Sequence, residues 1–138
     1  MAFAGLNYIA VIAAAIAGFV FGAVYYTTLG KPWMAAAGLT KEDVEGPTGK
    51  PKPGPMITAA IAQLVMAYLL AGLIGHVGNL TFSGTLITAF FVWLGFVMTT
   101  MTVNHRFQGQ KPMLTVIDGA HWLGVLLVMA AVISLIGV

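Results

Sequence analysis

Four long apolar stretches, separated by polar segments, determine what this chain of 138 residues can fold into. They lie at about residues 6–28, 56–77, 84–105 and 112–138. Each has about the 20 residues that an α-helix needs to cross the hydrocarbon core of a bilayer. Only 7% of the residues are charged, whereas an ordinary soluble domain has about 25%. The sequence therefore predicts an all-α, four-transmembrane-helix bundle that forms a single membrane domain over residues 1–138.

The basic residues are distributed unevenly along the chain. All six lysine and arginine residues lie in the segments 29–55 and 106–111, which join the first helix to the second and the third to the fourth. Because cytoplasmic loops carry an excess of Lys and Arg, both segments are predicted to be cytoplasmic and both termini to face outward. The first apolar stretch has spanning length and no basic n-region, so we expect a retained helix rather than a cleaved signal peptide.

The longer polar segment contains signals for local structure. Residues Pro32–Ala37 are predicted to form a short helix that ends at Gly38. Thr40 followed by Asp43 is typical of a capping box at a helix start. Four prolines and three glycines at positions 46–55 predict an extended, mobile linker.

Small residues recur every four positions in the first two membrane helices and form one stripe on each. The stripes consist of Ala14, Gly18 and Gly22 on the first helix, and of Ala67, Ala71 and Gly75 on the second. Such stripes let membrane helices approach closely, because lipid offers no hydrophobic drive for their association. Since these stripes exceed what one small bundle needs, we expect a homo-oligomer.

The residues that flank the helices indicate the lipid bilayer as the main partner. Trp33 is expected at the headgroup level, where tryptophan is enriched. Arg106 and Lys111 are expected to contact lipid phosphates, as juxtamembrane basic residues do. The formal net charge of +2 is too small to indicate nucleic acid. The absence of cysteine excludes disulfides, thiol catalysis and Cys-ligated metal.

Polar residues inside the fourth apolar stretch are the strongest sign of a function. Asp118 and His121 are three positions apart and therefore share one helix face. An Asp near the bilayer centre costs about 2.5–3.5 kcal/mol on insertion scales, so it is expected to face the bundle interior and find partners. The predicted topology brings polar groups of all four helices to one depth in the inner leaflet. The candidates for ligand or ion binding are Asp118, His121, His105, Asn104, Gln63 and Tyr25.

The sequence leaves three interpretations of this polar layer open. Asp118 could cap a helix while His121 ties helices together, which is a structural role. The pair could instead bind a small solute, a proton or a cation. Two histidines and one aspartate also suit a divalent ion, but Asp118 and His121 are the only close-spaced pair.

We therefore predict a small channel- or carrier-like protein with an inner-leaflet polar pocket for a small solute or cation. The alternative is a structural or accessory membrane module that binds a partner protein or lipid without transport. It is motivated by the nearly all-apolar outer halves of the second and fourth helices. No catalytic residue is assigned and an enzyme is not favoured, although a metal-dependent membrane enzyme is a third option. No cofactor is expected, but a divalent cation stays possible.

Several motifs resemble those of a known family. The first helix ends in Tyr25-Tyr26, and Leu-Gly-Lys-Pro-Trp-Met follows at positions 29–34. Trp93-Leu-Gly-Phe continues through paired threonines to Asn104-His105, and the closing helix contains Ile-Asp-Gly around Asp118. Over essentially its whole length the chain resembles domain-of-unknown-function family 1761. The resemblance implies a small, multi-pass protein of the bacterial cytoplasmic (inner) membrane, and it assigns no activity or catalytic residue.

Overall fold

A computed structural model of the protein describes residues 3–138, which fold almost entirely into helices. The α-helices are α1 (Tyr8–Thr28), α2 (Gly30–Ala37), α3 (Lys41–Val44), α4 (Pro53–Val77), α5 (Phe82–Val92), α6 (Thr99–Phe107) and α7 (Pro112–Ile136). A π-helix at Trp93–Met98, here called the π segment, joins α5 to α6. The three form one continuous third span, Phe82–Phe107.

Four helical units, α1, α4, the third span and α7, are long and apolar enough to cross a membrane. These units confirm the predicted all-α fold with four helices of spanning length. Their boundaries lie within three residues of the predicted ones. Lipid cannot satisfy backbone N–H and C=O groups, so each spanning segment closes its own hydrogen bonds as a helix. Length and hydropathy are therefore enough to place the spans.

Local signals set where the helices begin and end. The side chain of Asn7 caps α1, because its Oδ1 accepts hydrogen bonds from the backbone N–H groups of Ile9 and Ala10 at 3.1 and 3.3 Å. The helix α2 ends at Gly38, whose φ of 70° is the left-handed conformation that glycine adopts without strain. The helix α4 begins at Pro53, three residues before the predicted start, because the first turn of a helix does not need the N–H that proline lacks.

The prediction of an extended linker at positions 46–55 is wrong. Glu45 and Pro51 form an isolated antiparallel bridge. The backbone N–H of Gly46 donates to the carbonyl oxygen of Lys50 at 2.8 Å. The segment thus folds back on itself as a compact turn before α4 begins. Glycine and proline favour tight turns as well as extended chain, and composition alone does not distinguish the two.

The predicted capping box of Thr40 and Asp43 is present, and it gives this loop a defined response to pH. The backbone N–H and then the hydroxyl of Thr40 donate to Asp43 and hold the pKa of that carboxyl below its ordinary value. A lowered pKa means that the box contributes stability above the ordinary carboxyl pKa of about 3.9. That contribution is lost as the pH falls through the folded-state pKa. NMR titration in detergent micelles should show Asp43 titrating below the ordinary aspartate pKa of about 3.9, and a midpoint at or above that value would contradict the box.

The π segment is a feature that the sequence did not predict. A π-helix closes i→i+5 hydrogen bonds, so its turn is wider than an α turn. The indole Nε1 of Trp93, at the start of the segment, donates to the carbonyl oxygen of Gly119 on α7 at 2.8 Å. A Cβ added to Gly119 would lie 2.5 Å from Sδ of Met98, at the end of the segment. Both ends of the π segment therefore contact the same residue of α7, Gly119.

The helices α1 and α7 form the centre of the bundle. They pack against each other, α4 packs mainly on α1, and the third span packs mainly on α7. We call the end with α2, α3 and the turn at 108–111 the loop end, and the opposite end the terminal end. In the most apolar 18-residue stretch of the third span, only 6% of the residues are buried, against 28–39% in the corresponding stretches of the other three spans.

Candidate functional site

Asp118 lies in the second turn of α7 and bonds to the neighbouring helix α1. The hydroxyl of Tyr26 donates to Oδ1 of Asp118 at 2.6 Å. The hydroxyl of Tyr25, the preceding residue, donates to the carbonyl oxygen of Ile117 at 2.7 Å. Asp118 therefore takes its hydrogen bond from a different helix, as expected for a carboxyl group at membrane depth.

Three consecutive residues of α7 accept hydrogen bonds from aromatic side chains of other helices. Besides the two tyrosine contacts at positions 117 and 118, Gly119 accepts from the indole of Trp93. Two of these donors come from the last turn of α1 and one from the π segment. The Ile-Asp-Gly motif is thus the place where both neighbours of α7 are anchored to it by polar contacts.

His121 lies one turn beyond Asp118 and is 4% exposed. Its ring stands among aromatic rings, with centroid distances of 4.6 Å to Tyr26, 5.5 Å to Tyr25 and 4.5 Å to Trp122. A Cβ added to Gly22 of α1 would lie 2.8 Å from Nε2 of His121. The ring fits only because that position is glycine. Its other nitrogen, Nδ1, is buried and has no hydrogen-bond partner within residues 3–138.

Gln63 is the second buried polar side chain that lacks a partner. It is 3% exposed, and its Oε1 accepts no hydrogen bond from the described part of the chain. A Cβ added to Gly18, one turn before Gly22 on α1, would lie 2.8 Å from this oxygen. Gln63 and His121 therefore both stand against the small-residue stripe of α1. We call Tyr26, Gln63, Asp118 and His121 the Asp118 cluster.

A second polar contact lies closer to the loop end. Nδ1 of His105 and Oγ1 of Thr115 are 2.8 Å apart and share a hydrogen bond. Arg106 donates from Nη2 to the same hydroxyl at 3.2 Å and to the carbonyl oxygen of Gln110 at 2.9 Å. Thr115 is 5% exposed and three positions before Asp118, so both lie on one face of α7. This pair of contacts connects the exposed end of α6 with the face that carries the cluster.

Some of the predicted residues lie apart from the cluster. Asn104 is exposed on α6, and its side chain bonds to no other residue of 3–138. Trp33 is half-buried, with its ring edge-on to Tyr26 at 5.6 Å. Lys111 donates from Nζ to the carbonyl oxygen of Ala35 at 3.3 Å, which ties α2 to the start of α7.

The small-residue stripes face the packed helices. Within them Ala14, Gly18, Gly22, Ala67 and Ala71 are buried, while Gly75 is only half-buried. Tyr26 and Gln63 extend these two stripes by one further step of four residues. That spacing is a sequence signal that could have identified Tyr26 as a residue that faces α7. The contact of Trp93 has no comparable signal.

The surroundings of the cluster bear on what it can bind. Among residues 3–138 no three His, Cys, Asp or Glu side chains come together as a group that could hold a metal ion. One open cavity of about 630 Å³ lies at the loop end, lined by residues of the 41–52 segment. Another of about 450 Å³ lies at the terminal end beside His76. Neither is lined by a member of the Asp118 cluster.

Comparison with known proteins identifies a family but no characterised relative. The family model described as "Protein of unknown function (DUF1761)" matches residues 9–134. No curated protein and no solved structure matches the chain. The matched range includes the four spanning units, except the first residue of α1 and the last two of α7, and the whole Asp118 cluster.

Proposed function

We propose that this chain, which belongs to domain-of-unknown-function family 1761, is a carrier-like membrane protein that moves a small polar species through the Asp118 cluster. The observation that supports this proposal is the pair of buried polar atoms without partners, Oε1 of Gln63 and Nδ1 of His121. His121 lies one turn from Asp118, the only acidic residue of the four spans. Gln63 lies further towards the terminal end, against Gly18. Buried polar atoms without partners are rare in proteins and call for an explanation such as an exchangeable ligand.

The energetic cost of the cluster favours a function over a purely structural role. Leaving a buried donor or acceptor unsatisfied costs about 1–3 kcal/mol. An aspartate adds about 2.5–3.5 kcal/mol at the bilayer centre on insertion scales, and less nearer the interface, where Asp118 lies in the second turn of α7. Apolar side chains would tie α1 to α7 at lower cost, since both helices already present small residues at their contact. Ionisable groups inside spanning helices are accordingly taken as functional by default.

The packing on the other side of the cluster favours a carrier over an open channel. Towards the terminal end, α7 continues its buried face with Val125, Met129 and Ile133, each 0% exposed. These side chains close the terminal half of the bundle beyond His121, and Gln63 is buried among them against Gly18. The polar contacts of Thr115 lead to the exposed loop end. A site that is closed on one side requires a conformational change to release its ligand across the membrane, as in alternating access.

The basic residues orient this carrier in the proposal. All six lie at the loop end, and none lies at the terminal end. By the positive-inside rule the loop end is cytoplasmic, and the cluster then lies in the inner leaflet of a bacterial cytoplasmic membrane. The species that it carries would enter from the cytoplasm.

Transport by the purified, full-length chain in liposomes tests the proposal. The probes are jumps in pH, K⁺, Na⁺ and Mg²⁺, read as charge movement, and glycerol, read as vesicle swelling. At least one probe should give a response about tenfold above protein-free liposomes, and Asp118→Asn should remove it. Glu42→Gln, an exposed carboxyl in the loop, is the matched control and should keep the response. Absence of a response to every probe would contradict the proposal.

The low burial of the third span favours a second candidate function. Because only 6% of the residues in its most apolar stretch are buried, this span offers a surface for another membrane protein. Such a contact is what the accessory-module hypothesis requires. Gentle detergent extraction of the tagged chain from its native membrane should then yield a partner in fixed stoichiometry. Recovery of a pure homomer with no other protein would count against this candidate.

A further inference from the structure

We infer that the species bound in the Asp118 cluster is a proton rather than a metal cation or an organic solute. This inference rests on the proposed function and names its substrate. It follows from the space around the cluster, from the direction of its hydrogen bonds and from the chemistry of its two titratable groups.

The first argument is the close packing around the cluster. Cβ atoms added to Gly18 and Gly22 would lie 2.8 Å from Gln63 and His121, and one added to Gly124 would lie 2.2 Å from the ring of Phe21. The ring of His121 is enclosed by three aromatic neighbours at 4.5–5.5 Å. Organic ligands occupy pockets of about 300–1,000 Å³, and the two open cavities described above, which are of that size, lie elsewhere in the molecule. A proton requires no such volume.

The second argument is that the oxygens of α7 around Asp118 already accept hydrogen bonds, whereas a cation needs free lone pairs. The free acceptor of Gln63 lies further towards the terminal end, against Gly18. Zn²⁺ takes four ligands, and Mg²⁺ and Ca²⁺ take six or more oxygen ligands. Here the oxygens of three consecutive residues of α7 already accept hydrogen bonds from Tyr25, Tyr26 and Trp93. These O–H and N–H groups direct positive hydrogen atoms at the oxygens that a cation would use. Asp118 and His121 are the only titratable metal-ligand types within the cluster.

The third argument is that Asp118 and His121 are proton-binding groups connected by Tyr26. Its hydroxyl donates to Asp118, and its ring contacts His121. Nδ1 of His121 has no partner in the described chain, so no hydrogen bond at that atom fixes which ring nitrogen carries the proton. Uptake forms one O–H bond on the carboxylate or one N–H bond on the imidazole, and release breaks the same bond. No other covalent bond changes.

The other elements packed against α7 add few titratable groups near the pair. From α1 come Tyr25 and Tyr26, and α6 contributes His105 and Arg106 through Thr115. The remaining groups are Lys31 on α2, exposed at the loop end, and three nearer the terminal end, namely Tyr8 on α1 and Tyr68 and His76 on α4. The α5 helix and the π segment carry none. The contact of His105 with Thr115 lies between the exposed loop end and Asp118, where a proton would enter.

Proton flux into liposomes loaded with a pH-sensitive dye tests this inference. The full-length chain is reconstituted, a pH gradient is imposed, and K⁺ with valinomycin holds the membrane potential at zero. The wild-type chain should carry protons about tenfold faster than protein-free liposomes. Asp118→Asn should fall to the protein-free rate, whereas the loop control Glu42→Gln should retain flux. His121→Gln, which keeps a polar side chain, should also lose flux, and it decides the matter if Asp118→Asn fails to elute as a single species.

The outcomes separate this inference from the function on which it rests. One outcome is flux of K⁺, Na⁺, Mg²⁺ or glycerol that Asp118→Asn abolishes, with no proton flux. It would overturn the inference that the bound species is a proton and leave the carrier function in place. Absence of flux for every probe would overturn both. Proton flux that survives in both Asp118→Asn and His121→Gln would overturn the assignment to this cluster.

Discussion

Replacing Gly22 by leucine is expected to cause the largest loss of stability of any single substitution considered for this protein. Even a Cβ at this position would lie 2.8 Å from Nε2 of His121. The imidazole ring cannot move freely, because it stands between aromatic rings and is 4% exposed. The leucine would therefore push α1 away from α7 at the centre of the bundle. Overpacking of this kind costs typically 1–3 kcal/mol, and we expect about 3 kcal/mol here.

A matched glycine provides the control for that prediction. Gly95 lies in the π segment, and a Cβ added there meets nothing within 4 Å. A leucine at position 95 would face lipid and cost little, since lipid is as apolar as leucine. Unfolding of both variants in mixed detergent micelles, followed by far-UV circular dichroism, measures the difference in free energy. Equal unfolding midpoints for the two variants would show that α1 and α7 are not in close contact at Gly22.

Tyr26→Phe is expected to have the second largest effect, and Tyr25→Phe is its matched control. Both changes remove one hydroxyl and keep the ring. Without the Tyr26 hydroxyl, Oδ1 of Asp118 loses the 2.6 Å hydrogen bond that it accepts at membrane depth. An unsatisfied buried acceptor costs about 1–3 kcal/mol, and more if it is charged. Without Tyr25, the carbonyl oxygen of Ile117 keeps its place in the backbone ladder of α7, so we expect a loss below about 1 kcal/mol.

The same unfolding measurement compares the two tyrosine variants. The order of their midpoints, rather than either absolute value, tests the assignment of Asp118 to Tyr26. A larger loss for Tyr25→Phe would show that the carboxyl group has another donor in the folded protein. Combining Tyr26→Phe with Asp118→Leu in a double-mutant cycle would then isolate the contact itself, since the two residues touch directly.

The spans and their caps could be predicted because they depend on local chemistry. Each spanning segment must satisfy its own backbone in lipid, so length and hydropathy placed α1 at Tyr8–Thr28 within two residues. The cap at Asn7 and the box of Thr40 and Asp43 are likewise formed by residues two or three positions apart. None of these features needs knowledge of which helix is the neighbour of which.

The partner of Asp118 could not be predicted in the same way. The spacing of Asp118 and His121 on one helix suggested a pair, but residues on the same face do not have to bond to each other. The donor comes instead from Tyr26, 92 residues away along the chain. That contact depends on the rotation of α1 about its axis and on the choice of α7 as its neighbour. The four-residue step from Gly22 to Tyr26 was the one local sign of it.

The π segment shows a third kind of limit. Its residues, Trp93–Met98, have the same apolar character as the α-helical residues on both sides. What distinguishes the π segment is its contact with Gly119 of α7. Trp93 donates to the carbonyl oxygen of Gly119, and Met98 packs against the position where that glycine lacks a side chain. Tertiary contact, rather than local propensity, therefore accompanies the change in helix type.

The wide turn also decides where the third span tolerates a change in chain length. In an α-helix, losing one residue turns every later side chain by about 100° about the axis. A π turn already holds an extra residue, so deleting Gly95 would convert the segment to α geometry and leave Thr99–Phe107 facing α7 as before. A deletion two turns earlier in α5 would instead misdirect His105 and Arg106. We therefore expect that family members one residue shorter in this span carry the gap at the π segment.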